Sequence, residues 1–254
     1  MKTLLIIGIG AGNPEHLTVQ AINAMNRTDV FLLLDKGSAK QSLKQVRHHL
    51  CERYIPHRRY RFAEASNPER DRGGDYGAGV EALNLAKRQV LEQLLDQQVA
   101  DGECAALLVW GDPALYDSTL RIVQAIVAGG RALNYEVIPG ISSVQALACA
   151  HKVPLNRIGG QVQITTGRRL AQGRADTTDS VVVMLDGEDA YLSLDAPALD
   201  VYWGAYVGSA DEILIAGKLG DVAERIQQTR QAARQRHGWI MDSYLLQPPS
   251  DEDH

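Results

Sequence analysis

The stretch Met1–Thr18, MKTLLIIGIGAGNPEHLT, decides the fold. Thr3 to Ile9 is a near-continuous apolar run bounded by glycines, and such a run belongs to a strand covered on both faces of a parallel sheet. It stops too early for a membrane helix and has no small-residue cleavage site behind it, so it does not read as a signal peptide. Thr18 stands where a helix running to about Arg27 would be capped. Gly8, Gly10 and Gly12 allow a tight turn in which backbone can approach a ligand, or they simply punctuate the fold.

Outward from this strand the pattern alternates. Asp29 to Leu34 reads as a second strand with Asp35 at its end, and the polar, arginine-rich segment from His57 to Gly79 reads as a long functional loop. Val80 to Val99 carries Val80, Leu83, Val90, Leu91, Leu94 and Leu95 at helical spacing. Cys104 to Trp110 is a strand, Ser118 to Ala128 a helix and Asn134 to Ile138 another strand, an alternation that favours a parallel sheet. After His151, strands at Gln161–Thr166, Ser180–Leu185, Val201–Val207 and Glu212–Ala216 have few helices between them, which fits a mixed sheet. Asp221 to Gln235 is read as a closing helix. The expectation is therefore two α/β domains, residues 1–134 with a mainly parallel sheet and 135–250 with a mixed one, followed by a disordered acidic tail at 251–254.

Composition narrows the function. A 254-residue chain with a formal net charge of -5 has no general affinity for nucleic acid. No stretch approaches the ~20 apolar residues of a membrane helix, so a soluble protein is expected. Three cysteines, Cys51, Cys104 and Cys149, make an odd number without paired spacing, which suits the reducing cytoplasm and neither a disulfide scaffold nor a zinc site. His48-His49 lacks metal-ligand spacing, so no metal is assigned.

Three separated segments share one grammar. GIGAGNPEHLT (Gly8–Thr18), VWGDPALYDS (Val109–Ser118) and EVIPGISS (Glu136–Ser143) each place Gly, Pro and a small hydroxyl or carboxylate directly after an apolar run, as strands ending in ligand-touching loops do. In Gly111-Asp112-Pro113 the carboxylate suits a ligand's hydroxyl or ammonium group, or an ordinary Asx turn. Tyr116 and Ser118 could line the same cleft or cap the next helix, and Ser142 and Ser143 could cap a helix or bind a polar ligand. No GxSxG elbow supports a serine hydrolase. The dinucleotide fingerprint fails at Asn13 and Pro14, and only Asp35 keeps an NAD-dependent oxidoreductase as an alternative. Arg58, Arg59, Arg61, Arg70 and Arg72, interleaved with Glu64, Glu69 and Asp71, read either as a solvated loop of ion pairs or as a clamp for a polycarboxylate.

In this order the three segments resemble the tetrapyrrole methylase family, the class III methyltransferases that use S-adenosylmethionine. They look like its GxGxGxxxxLT, GDPxxY and PGxSS segments, and VGSADEILIAGKLGDV (Val207–Val222) is similar to its closing strand and G-x-L. GDPALYDSTLRI and the insert ending in NPERDR look most like members that act in aerobic cobalamin synthesis, methylating a precorrin and releasing acetate. The resemblance implies two α/β domains with the cofactor in the cleft between them, a tetrapyrrole substrate, S-adenosylhomocysteine as product and commonly a homodimer. It assigns Gly10, Pro14, Trp110, Gly111, Asp112, Leu115, Tyr116, Ser142, Ser143, Gly204, Gly217 and Lys218 to the cofactor. Met184 or Leu185 falls where the family has a Tyr-Met pair beside the adenine, although this chain reads VMLDG. Asp112, Tyr116 and Glu64 are the candidates by chemistry for the deacetylation step. A methylase of another precorrin and a non-catalytic tetrapyrrole carrier are the remaining readings.

Overall fold

The computed structural model describes residues 1–35, 41–56, 59–69 and 76–249. The chain divides into two compact units, Met1–Gly10 with Pro14–Ile141, and Ala11–Asn13 with Ser142–His254. The tail at 251–254 lies outside the described residues. Asn134–Ile138 belongs to the first unit, so the passage between units falls at Ile141–Ser142 and not at residue 134.

The first unit holds five strands in the order β3-β2-β4-β1-β5, every pair parallel. They are β1 (Lys2–Gly8), β2 (Val30–Asp35), β3 (Arg61–Ser66), β4 (Cys104–Val109) and β5 (Leu133–Ile138). Helices α1 (Val19–Asn26), α2 (Gln41–Tyr54), α3 (Tyr76–Gln98) and α4 (Thr119–Ala128) form the crossovers. The unbroken apolar run of β1 follows from this: Leu4 and Ile6 pack with α3 and α4, whereas Leu5 and Ile7 pack with α1 and α2. All four are fully buried, worth roughly 1.5–3 kcal/mol each. Thr18 caps α1 as expected, its Oγ1 accepting from the Ala21 amide at 3.0 Å.

The segment read as a loop from His57 to Gly79 instead contains β3 and the start of α3. β3 is an edge strand, RFAEAS, with only Ala63 fully buried, so it lacks the apolar run that marks an interior strand. Helix α2 was equally hidden, since its buried residues Leu50 and Cys51 leave a narrow apolar stripe on a polar helix.

The second unit carries a mixed sheet in the order β6-β7-β10-β8-β9, formed by β6 (Val162–Thr166), β7 (Ser180–Met184), β8 (Asp200–Ala205), β9 (Ile213–Lys218) and β10 (Asp242–Gln247). β6 and β7 are parallel, and the other neighbours antiparallel. Helices α5 (Ser143–His151), α6 (Gly167–Ala171) and α7 (Leu219–His237) cover it. The sequence reading ran this unit to residue 250 but named no element after the helix at Asp221–Gln235. The structure adds β10 after it and places that strand at the centre of the sheet, with Ser243 to Gln247 buried. Among the described residues no helix is long and apolar enough to cross a membrane.

Because β10 is central, Leu245→Ala should cost about 2–5 kcal/mol in urea denaturation, against roughly 0.5 kcal/mol or less for Ile158→Ala at a fully exposed position. An unchanged midpoint for Leu245→Ala would contradict this placement of the strand.

Candidate active site

The strand order makes β4, β1 and β5 neighbours, and their register pairs Gly8 with Val109 and Ile7 with Ile138. The three parallel strands therefore end together, and the three motif loops leave the sheet side by side at its carboxyl end, where open α/β sheets bind their ligands. The glycines are explained first by one another. A Cβ on Gly8 would lie 2.6 Å from the Gly140 amide nitrogen and 2.8 Å from the Gly111 carbonyl oxygen, and a Cβ on Gly140 would lie 2.1 Å from that same oxygen. Gly10 and Gly111 pair directly, the Gly111 amide donating to the Gly10 carbonyl at 2.8 Å and the Gly10 amide to the Gly111 carbonyl at 3.3 Å.

Asp112 fastens this junction. Its Oδ1 accepts from the Ala114 amide at 2.8 Å, and its Oδ2 accepts from the Gly140 amide at 2.9 Å. The carboxylate thus closes an Asx turn on its own loop and ties the β4 loop to the β5 loop. Both oxygens are engaged by backbone donors, which gives Asp112 a positioning role before any role as a base. Trp110 is half-buried against the core beneath α1 and α2. Leu115 is half-buried and Tyr116 is exposed with a left-handed φ of 51°. Asp117, not Ser118, caps α4 with its side chain, accepting from the Thr119 amide at 2.6 Å. Pro14 opens a short turn to His16, and its carbonyl accepts from the Tyr54 hydroxyl at 3.0 Å.

Two cations at this end of the sheet escaped the sequence reading. Arg47 of α2 donates from Nε to the Leu108 carbonyl at 3.0 Å, one residue before the end of β4. Burial lowers its pKa and the Asp117 charge opposes that shift. Burial likewise lowers the Lys87 ammonium of α3, again opposed by Asp117. The only signal for either was a basic residue on a half-buried helix face.

Of the two readings of the arginine cluster, ion pairs or a clamp, Arg61 follows the first. Arg61 begins β3 at the amino end of the parallel sheet, opposite the motif loops, and forks onto Glu103 with both distances 2.7 Å. The substrate clamp therefore loses Arg61. Arg59 is exposed just upstream, and Arg58, Arg70 and Arg72 lie outside the described residues, as does the Asp35 side chain. Glu64, proposed for acid-base work, is ion-paired with Lys44 at 2.5 Å.

In the second unit, Ser142 is the N-cap of α5. Its hydroxyl donates to Gln145 Oε1 at 2.6 Å and accepts from the Val144 amide at 3.2 Å. Ser142 is buried in this cap, while Ser143 is half-buried. Met184 ends β7 half-buried, and Leu185 follows with a left-handed φ of 54° and 66% exposure. Gly204 is buried where a Cβ would lie 2.7 Å from Leu147 Cδ1 and 2.6 Å from Val207 Cγ2, so those side chains pack directly on its backbone. A Cβ on Gly217 would meet Val222 of α7 at 2.7 Å, and Lys218 is ion-paired with Asp200 at 2.9 Å. Among the described residues no group of three His, Cys, Asp or Glu is arranged to hold a metal ion.

A two-unit α/β architecture whose first sheet gathers three glycine-bearing loops at its carboxyl end defines a small-molecule enzyme class. Residues 3–223 match the tetrapyrrole (corrin/porphyrin) methylases, and the chain belongs to that family. It is 47% identical over 255 residues to a precorrin-6A synthase (deacetylating) of Sinorhizobium sp., covering 100% of this chain and 98% of that relative. A cobalamin-synthesis-related protein from Corynebacterium diphtheriae has a crystal structure similar to this one, with a TM-score of 0.82 and 32% identity over 98% of this chain and 100% of that one. A uroporphyrin-III C-methyltransferase of Thermus thermophilus, complexed with S-adenosylhomocysteine, shares the fold with a TM-score of 0.57 at 16% identity, over 96% of this chain and 97% of that one. The oxidoreductase alternative falls: α1 begins only at Val19, so no helix N-terminus follows the glycines at dinucleotide-fingerprint spacing.

Two outcomes follow from this geometry. Asp112→Asn can accept only one of the two amide hydrogens and should destabilise the protein by about 1–3 kcal/mol in denaturant titration. Paired with Arg61 and bonded to the Ala100 amide, the Glu103 carboxyl is held down to about 2, from an ordinary 4.5. A folded-state pKa below the unfolded one stabilises above pH 4.5, and that contribution is lost as pH falls towards 2. Arg61→Ala should move the Glu103 titration up towards its ordinary value by NMR while leaving the KM for a tetrapyrrole substrate unchanged; a raised KM would return Arg61 to the substrate site.

Proposed function

We propose that this chain is a precorrin-6A synthase of the deacetylating kind, an S-adenosylmethionine-dependent C-methyltransferase that converts precorrin-5 to precorrin-6A and releases acetate in cobalamin synthesis. The observation that carries the reading is end-to-end similarity to the deacetylating relative, at 47% identity across the whole chain. A homodimer in the cytoplasm belongs to the same proposal.

The residues present fit the cofactor. Leu185 offers an exposed apolar surface and Met184 a polarisable neighbour, as a purine would need. Backbone groups of the Gly10–Gly111 junction and the Trp110–Tyr116 loop are candidates for its polar end, with Pro14, Ser143, Gly217 and Lys218 also assigned to it. When bound, S-adenosylmethionine supplies an electrophilic methyl group. What the chain contributes to methyl transfer is then orientation and exclusion of water, with no activated protein nucleophile. Release of the acetyl group requires water to add to its carbonyl with loss of a proton to a general base, and the carbon–carbon bond to the ring then to break, acetate leaving and the electron pair passing into the conjugated macrocycle; an oxyanion donor holds the charge that develops on the acetyl oxygen. Tyr116 is proposed as the donor because, of the three candidates, it is the one whose side chain carries an O–H, whereas ionised Asp112 and Glu64 can only accept. Arg70 and Arg72, which follow β3, are proposed with the half-buried Arg47 and Lys87 to meet the acidic side chains of the macrocycle, whereas Arg59 precedes β3 on the side of Arg61 and leaves the clamp with it.

The test is mass spectrometry of the pigment after incubation with S-adenosylmethionine and enzymatically generated precorrin-5, with acetate assayed in the same tube. Methyl gain, acetyl loss and free acetate are expected. Methyl gain without acetate would leave a methylase acting on another precorrin, and an unchanged pigment with active, cofactor-saturated protein would point to a carrier.

A further inference from the structure

The second unit contains a buried charged cluster whose only evident work is to hold the loop after β7. Arg230 of α7 is 6% exposed. Its Nε donates to Asp242 Oδ2 at 2.9 Å, Nη1 lies 3.1 Å from Asp189 Oδ1, and Nη2 donates to the backbone carbonyl of Asp186. Asp242 Oδ2 also accepts from Trp203 Nε1 at 3.0 Å. Asp186 is buried and fully engaged: Oδ1 accepts from the Glu188 amide at 3.0 Å, and Oδ2 accepts from the Ala190 amide at 2.8 Å and the Tyr244 hydroxyl at 2.7 Å. Gly167 leaves room for it, since a Cβ there would sit 2.4 Å from Asp186 Cγ.

Buried ion clusters are poor stabilisers, because the cost of desolvating the charges largely offsets their attraction. This one places two carboxylates and a backbone carbonyl around a single buried guanidinium, with a third carboxylate, Asp186, held beside it by two amides and Tyr244, which makes a purely stabilising role a weak explanation. What it does achieve is conformational. Leu185 and Asp189, at the two ends of the loop, both have left-handed backbone, with φ of 54° and 55°. Leu185 also presents an apolar side chain that is 66% exposed. Neither backbone preference nor burial of its own side chain favours that placement, and such strain persists only where the surroundings over-determine it. The surroundings here are Asp186 and Arg230, which anchor the two ends of the loop to α7 and β10.

We infer that Asp186 and Arg230 are positioning residues for cofactor binding, holding Leu185 out of the core so that it can meet the adenine of S-adenosylmethionine. This rests on the assignment of Leu185 to the cofactor, and the experiment separates the two claims. S-adenosylhomocysteine affinity is measured by calorimetry, with Tm and the KM for tetrapyrrole recorded in parallel, for Leu185→Gly, Asp186→Asn, Tyr244→Phe, Arg230→Met and Arg230→Lys. Ile226→Val, in the same helix as Arg230 and fully buried, controls for lost stability alone.

Leu185→Gly should weaken S-adenosylhomocysteine binding with Tm held or raised, since glycine relieves the left-handed strain. Asp186→Asn and Tyr244→Phe should weaken it about tenfold with little change in the tetrapyrrole KM. Arg230→Lys should recover part of what Arg230→Met loses, and Ile226→Val should lower Tm and leave affinity at the wild-type level. Lower Tm with wild-type affinity in Asp186→Asn and Tyr244→Phe would reduce the cluster to a structural role and overturn the inference, even with Leu185→Gly impaired. Wild-type affinity in Leu185→Gly would remove Leu185 from the cofactor site and overturn both claims.

Discussion

Three strand ends that touch through backbone alone are the constraint from which the first unit follows. The Gly111 carbonyl oxygen lies where a side chain on either Gly8 or Gly140 would begin. Only three parallel neighbours, cut to the same length by register, can bring their loops into such contact. That requirement fixes β1 between β4 and β5 and makes the β4-to-β5 crossover pass over β1 through α4. Asp112 then converts proximity into a tie by taking one amide from its own loop and one from the next. Glycines that look in sequence like room for a ligand are in the first place room for neighbouring loops.

Charge works differently at the surface and in the interior. Arg27–Glu136, Arg61–Glu103 and Arg131–Asp96 are bidentate pairs with substantial exposure, and water screens such pairs until each contributes little. Arg230 is enclosed, so its hydrogen bonds act in a medium of low polarisability. Burial raises the Asp242 carboxyl pKa, opposed by its bonds to Arg230 and Trp203. Burial also pushes the Tyr244 hydroxyl up, with the nearby Asp186 charge acting in the same direction, so Tyr244 remains a hydrogen-bond donor at any physiological pH.

What the sequence made legible depended on whether a signal was local. β1 and β4 could be read because a strand buried on two faces must be apolar at every position. β3 could not, because an edge strand with one interior residue resembles a loop, and β10 could not, because six residues before Pro248-Pro249 look like a tail although they lie at the centre of a sheet. The three motifs were visible as strand-to-loop junctions, and their meeting was inferred from order alone. The tie between Asp112 and Gly140 spans 28 residues, and no local pattern encodes it. The arginine run misled for the same reason: adjacency in sequence concealed that β3 carries Arg61 to the amino end of the sheet, while Arg47 and Lys87, far apart in sequence, both come within the electrostatic reach of Asp117.

The two units solve one local problem with one device. In each, an exposed side chain beyond the carboxyl end of a strand sits on left-handed backbone, Tyr116 after β4 and Leu185 after β7. That conformation costs an L-residue roughly 1–2 kcal/mol. Tyr206, also left-handed, is buried, and its hydroxyl donates to the Trp239 carbonyl at 2.6 Å, so its own contacts offset the strain. Tyr116 and Leu185 have no comparable burial, and an aspartate stands by each loop. Asp112 and Asp186 each accept from the amide two residues ahead and, through the second oxygen, from a group outside that turn. An Asx turn alone would shape the loop, and the second oxygen ties it to a neighbouring segment, the loop after β5 for Asp112 and β10 for Asp186. Strain that is held by a carboxylate on the protein side leaves the exposed side chain facing solvent in one conformation, so that binding a ligand there need not first order the loop.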